Sequence, residues 1–153
     1  MLIKTYNAIN KLTTLEKSRI TKFIHEHSDH KNDTKKAIRK SLDYAAKERA
    51  GLGGYVFTIS MNKEIVGALV VNKTGMDDYI PENIIVYVVT HQEYRKQGIA
   101  KKLMNRAIEH CKGDIALHVT HDNPAKNMFE KLGFTNPYLE MRYKKKPQRS
   151  SAS

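Results

Sequence analysis

The chain has 153 residues, of which 40% are hydrophobic and 28% are charged, a composition typical of one soluble globular domain and unlike that of a fibrous protein. No apolar run approaches the roughly 20 residues that a membrane-spanning helix requires, and the lone cysteine, Cys111, excludes an intramolecular disulfide and a cysteine-based zinc cluster. The formal net charge of +11 indicates a basic surface, which suits an anionic ligand.

The first half of the chain predicts one strand, two helices and a hairpin. Thr13 and Glu16 have the spacing of a capping box, so a helix is expected to begin there. Two strand-like runs flank Asn62-Lys63, as in a hairpin. In chain order, the expected elements are a strand over residues 2–7, a helix from residue 13 to about 27, a helix from about residue 33 that ends before Gly51, and strands over residues 55–61 and 64–72.

The second half predicts alternating strands and helices. The run NIIVYVVT is almost wholly apolar and β-branched, as expected for a strand that is covered on both faces. The following helix has the clearest apolar stripe in the chain, from Ile99 to Cys111. In chain order, the expected elements are a strand over residues 83–90, a helix from residue 99 to about 112, a strand over 115–120, a short helix over 124–132 and a last strand over 139–145.

The segment YRKQGIA, residues 94–100, joins the apolar strand to the striped helix. The first turn of a helix has backbone N–H groups without an intrahelical partner, and the helix dipole adds positive charge there, so phosphate oxygens bind well. Gly98, and to a similar degree Ala100, leaves room for a pyrophosphate to approach the main chain. Arg95, Lys96 and Lys101 add positive charge. The junction therefore predicts a phosphate-binding site.

Two segments of the chain resemble the signatures of the GNAT superfamily of N-acetyltransferases. HQEYRKQGIAKKLM is similar to that family's pyrophosphate-binding segment, whose core pattern is Q/R-x-x-G-x-G/A. DNPAKNMFEKLGF resembles its second signature, an Asn-containing turn followed by a short helix and Gly-Phe, and MRYKK resembles the family's last strand. Together these resemblances extend over about residues 83–145, and the chain is identified as a member of the superfamily.

This resemblance implies the fold class and the domain organisation. The expected fold is α/β, with a GNAT-like mixed, mostly antiparallel central sheet flanked by helices. Its central strands, residues 83–90 and 115–120, are expected to be parallel and to splay apart at their C-terminal ends. Residues 1–146 are expected to form a single N-acetyltransferase domain, and residues 147–153 a disordered tail.

The resemblance also implies acetyl-CoA as the cosubstrate, with no metal. The main chain of Val88, Val89 and Thr90 is expected to bind the pantetheine arm as an added strand would, because buried N–H and C=O groups require partners. The loop before the striped helix is expected to hold the pyrophosphate. The full set of expected acetyl-CoA contacts is Val88, Val89, Thr90, Arg95, Lys96, Gln97, Gly98, Ile99, Ala100, Lys101, Asn123 and Phe129.

The chain departs from the family at the general acid. Many relatives have a tyrosine just before the Glu-Lys-x-Gly-Phe run, and here that position is Phe129, which has no proton to donate. Phe129 fits an apolar stripe with Met128 and Leu132, so core packing is one interpretation. Tyr138 is the substitute candidate. A thiol with a pKa near 8.5 also leaves without help at neutral pH, and a site that binds CoA without transferring acetyl is a third alternative.

The general base is also not at its usual place. Many relatives place a Glu on one of the two central strands, but NIIVYVVT contains no carboxylate. His118, on the second strand, lies near that position, and histidine is a natural base near neutral pH. Either Asp122 or Asn123 occupies the family's Asn position, and this choice shifts the alignment of His118 by one residue. His118 is therefore either the base or an ordinary strand histidine.

The acceptor is expected to be a primary amine, on a small molecule or on a protein or peptide. Asp77, Asp78 and Glu82 are candidates to receive a cationic group. No nucleic-acid or membrane partner is expected, and the protein is expected to be a cytoplasmic monomer or homodimer. No metal site is expected from His25, His27 and His30, because these residues do not share one helix face as metal ligands would. Two alternatives stay open, a non-catalytic CoA-binding module and a basic nucleic-acid-binding domain, although no aromatic-basic RNA motif is present.

Overall fold

A computed structural model describes residues 1–29 and 33–146 of the chain. The expected tail at residues 147–153 lies outside these ranges, as does His30. The chain divides into two compact units, one over Met1–His118 and one from Val119 onward. The expectation that residues 1–146 form a single domain stays a prediction.

The secondary structure follows the expected order as far as the short fourth helix. The first unit contains β1 (Leu2–Tyr6), α1 (Thr14–His27), α2 (Lys35–Ala45), β2 (Gly54–Met61), β3 (Glu64–Lys73), β4 (Asn83–Thr90), a 3-10 turn (Gln92–Tyr94), α3 (Ile99–His110) and β5 (Ile115–Leu117). The second unit contains α4 (Lys126–Lys131).

Local sequence explains where the early elements begin and end. The Thr13 hydroxyl accepts a hydrogen bond from Glu16 N at 3.1 Å, and the Glu16 carboxylate accepts one from Thr13 N at 2.9 Å. The expected capping box is therefore present. In the hairpin between β2 and β3, Asn62 and Lys63 both have positive φ angles, 52° and 65°, as a two-residue type I′ turn requires.

The five strands form one sheet in the order β1-β2-β3-β4-β5. The first three pairings are antiparallel and the β4–β5 pairing is parallel. This mixed, mostly antiparallel sheet with flanking helices confirms the expected fold class. The parallel pair lies at an edge of the sheet in the described part of the chain, and not at its centre.

Helices α1 and α2 cover one face of the sheet, and α3 covers the other. Ala68 and Val70 of β3 belong to a buried cluster with α1 and α2. The cluster includes Ile20, Phe23 and Ile24 from α1 and Ile38, Leu42 and Ala45 from α2. Gly67 faces α3, because a Cβ added there would lie 2.6 Å from Ile99 Cγ2 and 3.0 Å from Leu103 Cδ1. The absence of a side chain at Gly67 therefore allows α3 to pack directly on β3.

Two strand predictions near the C-terminus are wrong. β5 ends at Leu117 and does not extend to Thr120, because it pairs only with three residues of β4. Residues 139–145 form no strand. Leu139, Met141 and Tyr143 are 78%, 93% and 87% exposed. Alternation of polar and apolar residues favours a strand, but a strand also needs a neighbour for its N–H and C=O groups.

Candidate functional site

β4 separates from β5 halfway along its length. The parallel ladder pairs Asn83 with Ile115 and ends at the pair Ile85 and Leu117. The antiparallel ladder with β3 continues to the end of β4, at the pair Thr90 and Gly67. Residues 86–90 therefore have β3 on one side and no strand on the other among the described residues. This segment, called the β4 opening below, leaves main-chain N–H and C=O groups for another partner. The ladder ends because β5 ends at Leu117, and the splay of the two strands beyond this point stays a prediction.

A β-bulge lies where the opening begins. Val71 of β3 pairs with Ile85, and the next residue inward, Val70, pairs with Tyr87. Val86 is therefore the extra residue on β4. Adjacent residues of β3 point to opposite faces, so the bulge places Ile85 on the α3 face and Tyr87 on the face covered by α1 and α2. Without it, Ile85 and Tyr87 would share a face.

The N-terminal end of β4, where Asn83 pairs with Ile115 of β5, is held by side-chain hydrogen bonds and is called the closed end below. Asn83 is only 1% exposed, and its Nδ2 donates to the carbonyl oxygens of Lys112 and Asp114 at 2.7 and 3.2 Å. The Glu82 carboxylate accepts a hydrogen bond from Asp114 N at 2.8 Å. Glu82, one of the carboxylates expected to receive a cationic acceptor, is therefore occupied at the end of β4 opposite the opening.

The N-terminus of α3 has the geometry of an anion site. Gly98 is the N-cap residue, with φ of 79° and no side-chain capping hydrogen bond. A Cβ added to Gly98 would meet nothing within 4 Å, so open space lies directly against the main chain. The first N–H groups of α3 have no intrahelical partners, and the helix dipole makes this end positive. These features fit a phosphate group of a bound nucleotide.

The side chains around Gly98 have three different environments, since one is hydrogen-bonded to the end of α1, one is buried and the others are exposed. Arg95 Nη2 donates to the main-chain oxygen of His27 at 3.2 Å and to the Asp29 carboxylate at 3.3 Å, so it ties this loop to the end of α1. Ile99 is 3% exposed and packs against β3, which leaves only its main chain for a ligand. The remaining expected contacts near the loop, Lys96, Gln97 and Lys101, are exposed.

Two histidines whose rings are in contact support the 3-10 turn before this loop. The rings of His27 and His91 are 4.1 Å apart. His27 Nδ1 accepts from Gln92 N at 3.3 Å, and His91 Nδ1 accepts from Glu93 N at 3.1 Å. Burial, and then the charge of His91, lowers the pKa of His27 below its usual value. The pair joins residues 64 positions apart, and no pattern within one sequence indicates such a contact.

His118 directly follows the last paired residue of β5. It is exposed and stands where the two parallel strands part. This position is consistent with either of its expected roles, and its assignment as general base stays a prediction.

The second unit contains the remaining expected site residues. Asn123 Oδ1 accepts a hydrogen bond from Ala125 N at 2.8 Å, which forms the turn before α4. Phe129 is 4% exposed and packs edge-to-face against Phe134, with 6.2 Å between ring centroids. Tyr138 is 87% exposed. The packing of Phe129 agrees with a structural role for its ring, and the functional roles of all three residues stay predictions.

Two further properties concern ions and membranes. Within residues 1–29 and 33–146, no group of three or more His, Cys, Asp or Glu side chains is placed to hold a metal ion. None of the helices in these ranges is both long enough and apolar enough to cross a membrane.

Burial raises the pKa of the Cys111 thiol to about 11, so this side chain is a protonated thiol at neutral pH.

Comparison with known families gives one match over most of the chain. The sequence model of the Acetyltransferase (GNAT) family matches residues 12–134. Over 60 residues the chain is 38% identical to the cysteine-rich protein 2-binding protein of Mus musculus and to that of Homo sapiens. This match covers 38% of the chain and only 8% of each relative.

Comparison with solved structures gives the same architecture. A transcriptional regulator from Bacillus halodurans C-125 has a TM-score of 0.68 and 24% identity, and the match covers 94% of this chain and 99% of that one. A possible acetyltransferase from Clostridium difficile 630 has a TM-score of 0.65 and 19% identity, with 97% and 100% covered. The aminoglycoside N-acetyltransferase AAC(6')-Iy in complex with CoA has a TM-score of 0.67 and 12% identity, with 95% of each chain covered. At these identities the likeness shows the fold.

Proposed function

The chain belongs to the Acetyltransferase (GNAT) family, and on this premise we propose that it transfers the acetyl group of acetyl-CoA to a primary amine of a small molecule or of a protein or peptide. One observation supports this most directly. β4 continues for five residues beyond its last pairing with β5 and is followed by a glycine-capped helix N-terminus with open space at its main chain. An extended arm with a phosphate at one end fits this arrangement.

The residues present fit acetyl-CoA in two places. The main chain of Val88, Val89 and Thr90 lies in the β4 opening, where the amide groups of the pantetheine arm would pair with it as an added strand does. The N–H groups at the start of α3, with Gly98 at the N-cap, would hold the pyrophosphate. Lys96 and Lys101 supply positive charge near those phosphates.

The proposed reaction joins nitrogen to the acetyl carbon and breaks the thioester. The neutral amine nitrogen attacks the carbonyl carbon, and a main-chain N–H at Val88 or Val89 donates to the oxygen as negative charge develops on it. The C–S bond then breaks, the thiolate takes up a proton and the product amide loses one. From an ammonium ion and acetyl-CoA, the products are the amide, CoA and one released proton.

Two proton transfers accompany this reaction. An alkylammonium has a pKa of about 10, so the acceptor has to lose a proton before it attacks. His118, at the end of β5, is the base that we propose, acting directly or through a water molecule. For the leaving thiolate we propose Tyr138 as a donor, since Phe129 lacks a hydroxyl group. A thiol of pKa about 8.5 also leaves unassisted at neutral pH.

A thiol-release assay tests this function. The protein is incubated with acetyl-CoA and, in turn, phenethylamine, 1,4-diaminobutane and a peptide with one lysine and a free N-terminus. Release of CoA that depends on the amine, together with an amide product of the expected mass, is the result we expect. The same peptide with both amines acetylated beforehand is the control, and CoA release that is equal with it would contradict amine acetylation.

A second candidate function is CoA binding without transfer. The burial of Phe129 against Phe134 favours it, because the ring occupies an apolar site and provides no acid. Calorimetric titration with CoA, run beside the thiol-release assay, separates the two functions. Binding of CoA without release of thiol for any amine would support the binding module over the enzyme.

A further inference from the structure

A carboxylate is held beside the β4 opening by a tyrosine of β4 itself. The Tyr87 hydroxyl donates a hydrogen bond to Asp33 Oδ2 at 2.7 Å. Tyr87 is the first residue after the bulge at Val86, and the bulge directs its side chain to the face covered by α1 and α2. Asp33 immediately precedes Thr34, the N-cap residue of α2. One tyrosine side chain therefore connects the opening to the start of α2.

The state of this pair follows from its surroundings. Tyr87 is 6% exposed, and burial, together with the hydrogen bond to Asp33, raises the pKa of Tyr87 well above its usual range. Its hydroxyl is therefore a protonated donor at neutral pH. Because the donor is neutral, the hydrogen bond orients the Asp33 carboxylate without placing a positive charge beside it. Asp33 is half-buried, so the charge is accessible from solvent.

Other carboxylates near the site differ from Asp33 in their partners. Asp29 accepts from the Arg95 guanidinium, so its charge is offset by a cation. Glu82 accepts from Asp114 N at the closed end of β4. Asp33 combines a negative charge, a neutral partner and a direct connection to the opening. With a net charge of +11 on the chain, a local anion would favour the binding of a cationic molecule.

We propose that Asp33, oriented by Tyr87, binds the ammonium group of the acceptor and makes alkyl primary amines the preferred substrates. The inference rests on the proposed function, since it concerns the second substrate of the same site. An ammonium–carboxylate contact is a charge-assisted hydrogen bond, which is stronger than a neutral one. Asp33 acts in binding and not as the base, because a carboxylate is a much weaker base than the alkylamine that it would have to deprotonate.

Asp33→Asn is the decisive variant, because an asparagine side-chain oxygen can still accept from the Tyr87 hydroxyl while the charge is removed. For phenethylamine, or the alkylamine of the panel with the fastest turnover, we expect KM to rise at least tenfold. The Kd of acetyl-CoA is expected to stay within twofold, since the Tyr87 side chain belongs to the cluster with α1 and α2, whereas we propose that main-chain groups of β4 and α3 hold acetyl-CoA. For 4-ethylaniline, which is neutral at pH 7, the KM of the variant and of the wild type should agree.

Glu109→Gln is the matched control. It removes the same charge from an exposed position near the end of α3, on the other face of the sheet, and we expect an unchanged KM. Tyr87→Phe is the second variant, in case Asp33→Asn fails to fold. It keeps the ring and loses the orienting hydroxyl, and we expect KM for the alkylamine to rise at least threefold with acetyl-CoA affinity unchanged.

The outcomes separate this inference from the proposed function. Wild-type protein that acetylates no amine would contradict the proposed function, and the inference with it. Wild-type turnover with an unchanged alkylamine KM in Asp33→Asn would overturn the inference alone. An equal rise in KM for phenethylamine and for 4-ethylaniline in Asp33→Asn would indicate a structural role for Asp33 and would overturn the inference. A weaker acetyl-CoA affinity in both Asp33→Asn and Tyr87→Phe would overturn it for the same reason.

Discussion

Gly67→Ala is expected to destabilise the protein and to weaken CoA binding, because Gly67 pairs with Thr90 and lies against Ile99, which are both expected site residues. The added Cβ would lie 2.6 Å from Ile99 Cγ2. Reaching the 3.4 Å of ordinary van der Waals contact requires a retreat of about 0.8 Å. Overpacking of this kind costs about 1–3 kcal/mol. Replacing a glycine by alanine normally stabilises a protein by only about 0.4–1 kcal/mol, because it lowers the conformational entropy of the unfolded chain. We therefore expect the steric clash to outweigh this gain.

Ile99 is the first residue of α3, so its displacement moves the N–H groups that we propose hold the pyrophosphate. We expect the Kd of CoA to rise about three- to tenfold, since misplacing a binding group by 1 Å is costly. The unfolding free energy measured in urea should fall by up to about 2.5 kcal/mol, which is the overpacking cost less the gain through the unfolded chain. Ala68→Val is the control: it overfills the core on the other face and should lower stability with CoA affinity unchanged. Equal CoA affinity in Gly67→Ala and wild type would refute the proposed coupling of β3 packing to the anion site.

The remaining predictions concern single residues of the candidate site. Gly98→Glu places a negative side chain in the open space before α3 and should weaken acetyl-CoA binding at least tenfold, about 1.4 kcal/mol, whereas unchanged affinity in a folded variant would contradict the phosphate site. Phe129→Tyr should fold and keep or modestly raise the rate, while Phe129→Ala should lower the unfolding free energy by about 3–5 kcal/mol; loss of turnover without loss of stability in the latter would contradict a packing role. His118→Ala should lower kcat by about 100-fold, and full activity in a folded variant would exclude His118 as the base.

Elements with local causes could be predicted from the sequence. The capping box of Thr13 and Glu16 fixes the start of α1 by contacts within one turn. The two residues between β2 and β3 take the positive φ angles that their turn requires. The apolar run of residues 83–90 forms a strand with a neighbour on each side at its start. In each case the determining interactions lie within a few residues of each other or follow from strong periodicity.

Features that depend on distant partners could not be predicted in this way. The bulge at Val86 arises from how β4 pairs with β3, and the sequence of β4 shows no glycine or proline to mark it. Asp33 and Tyr87 are 54 positions apart, so only the fold brings them together. The wrong prediction of a strand over residues 139–145 also reflects a dependence on distant partners. The alternation of polar and apolar residues there is typical of a strand, but no strand of the described residues pairs with this segment.

His27 is expected to make the loop before α3, where we propose that the pyrophosphate binds, sensitive to acid. Burial, and then the charge of His91, lowers the pKa of His27 in the folded protein, although the charges of Glu26 and Glu64 partly oppose this. A histidine whose pKa is lowered by folding stabilises the protein fully above its unfolded pKa of about 6.5, and this contribution is lost as the pH falls toward the folded value. Protonation at Nδ1 would also remove the acceptor for Gln92 N.

The test of this prediction is the pH dependence of urea unfolding and of CoA affinity between about pH 7.5 and 5, around the reference pKa of about 6.5. We expect both to decline with falling pH in the wild type. His27→Asn replaces Nδ1 with an amide oxygen that does not titrate, so its two pH profiles should be flatter. His25→Asn, an exposed position on the same helix, should keep the wild-type profiles. CoA itself titrates in this range, and only the difference between the variants reports on the protein. Profiles of His27→Asn that are as steep as those of His25→Asn would show that the His27–His91 pair does not control the loop.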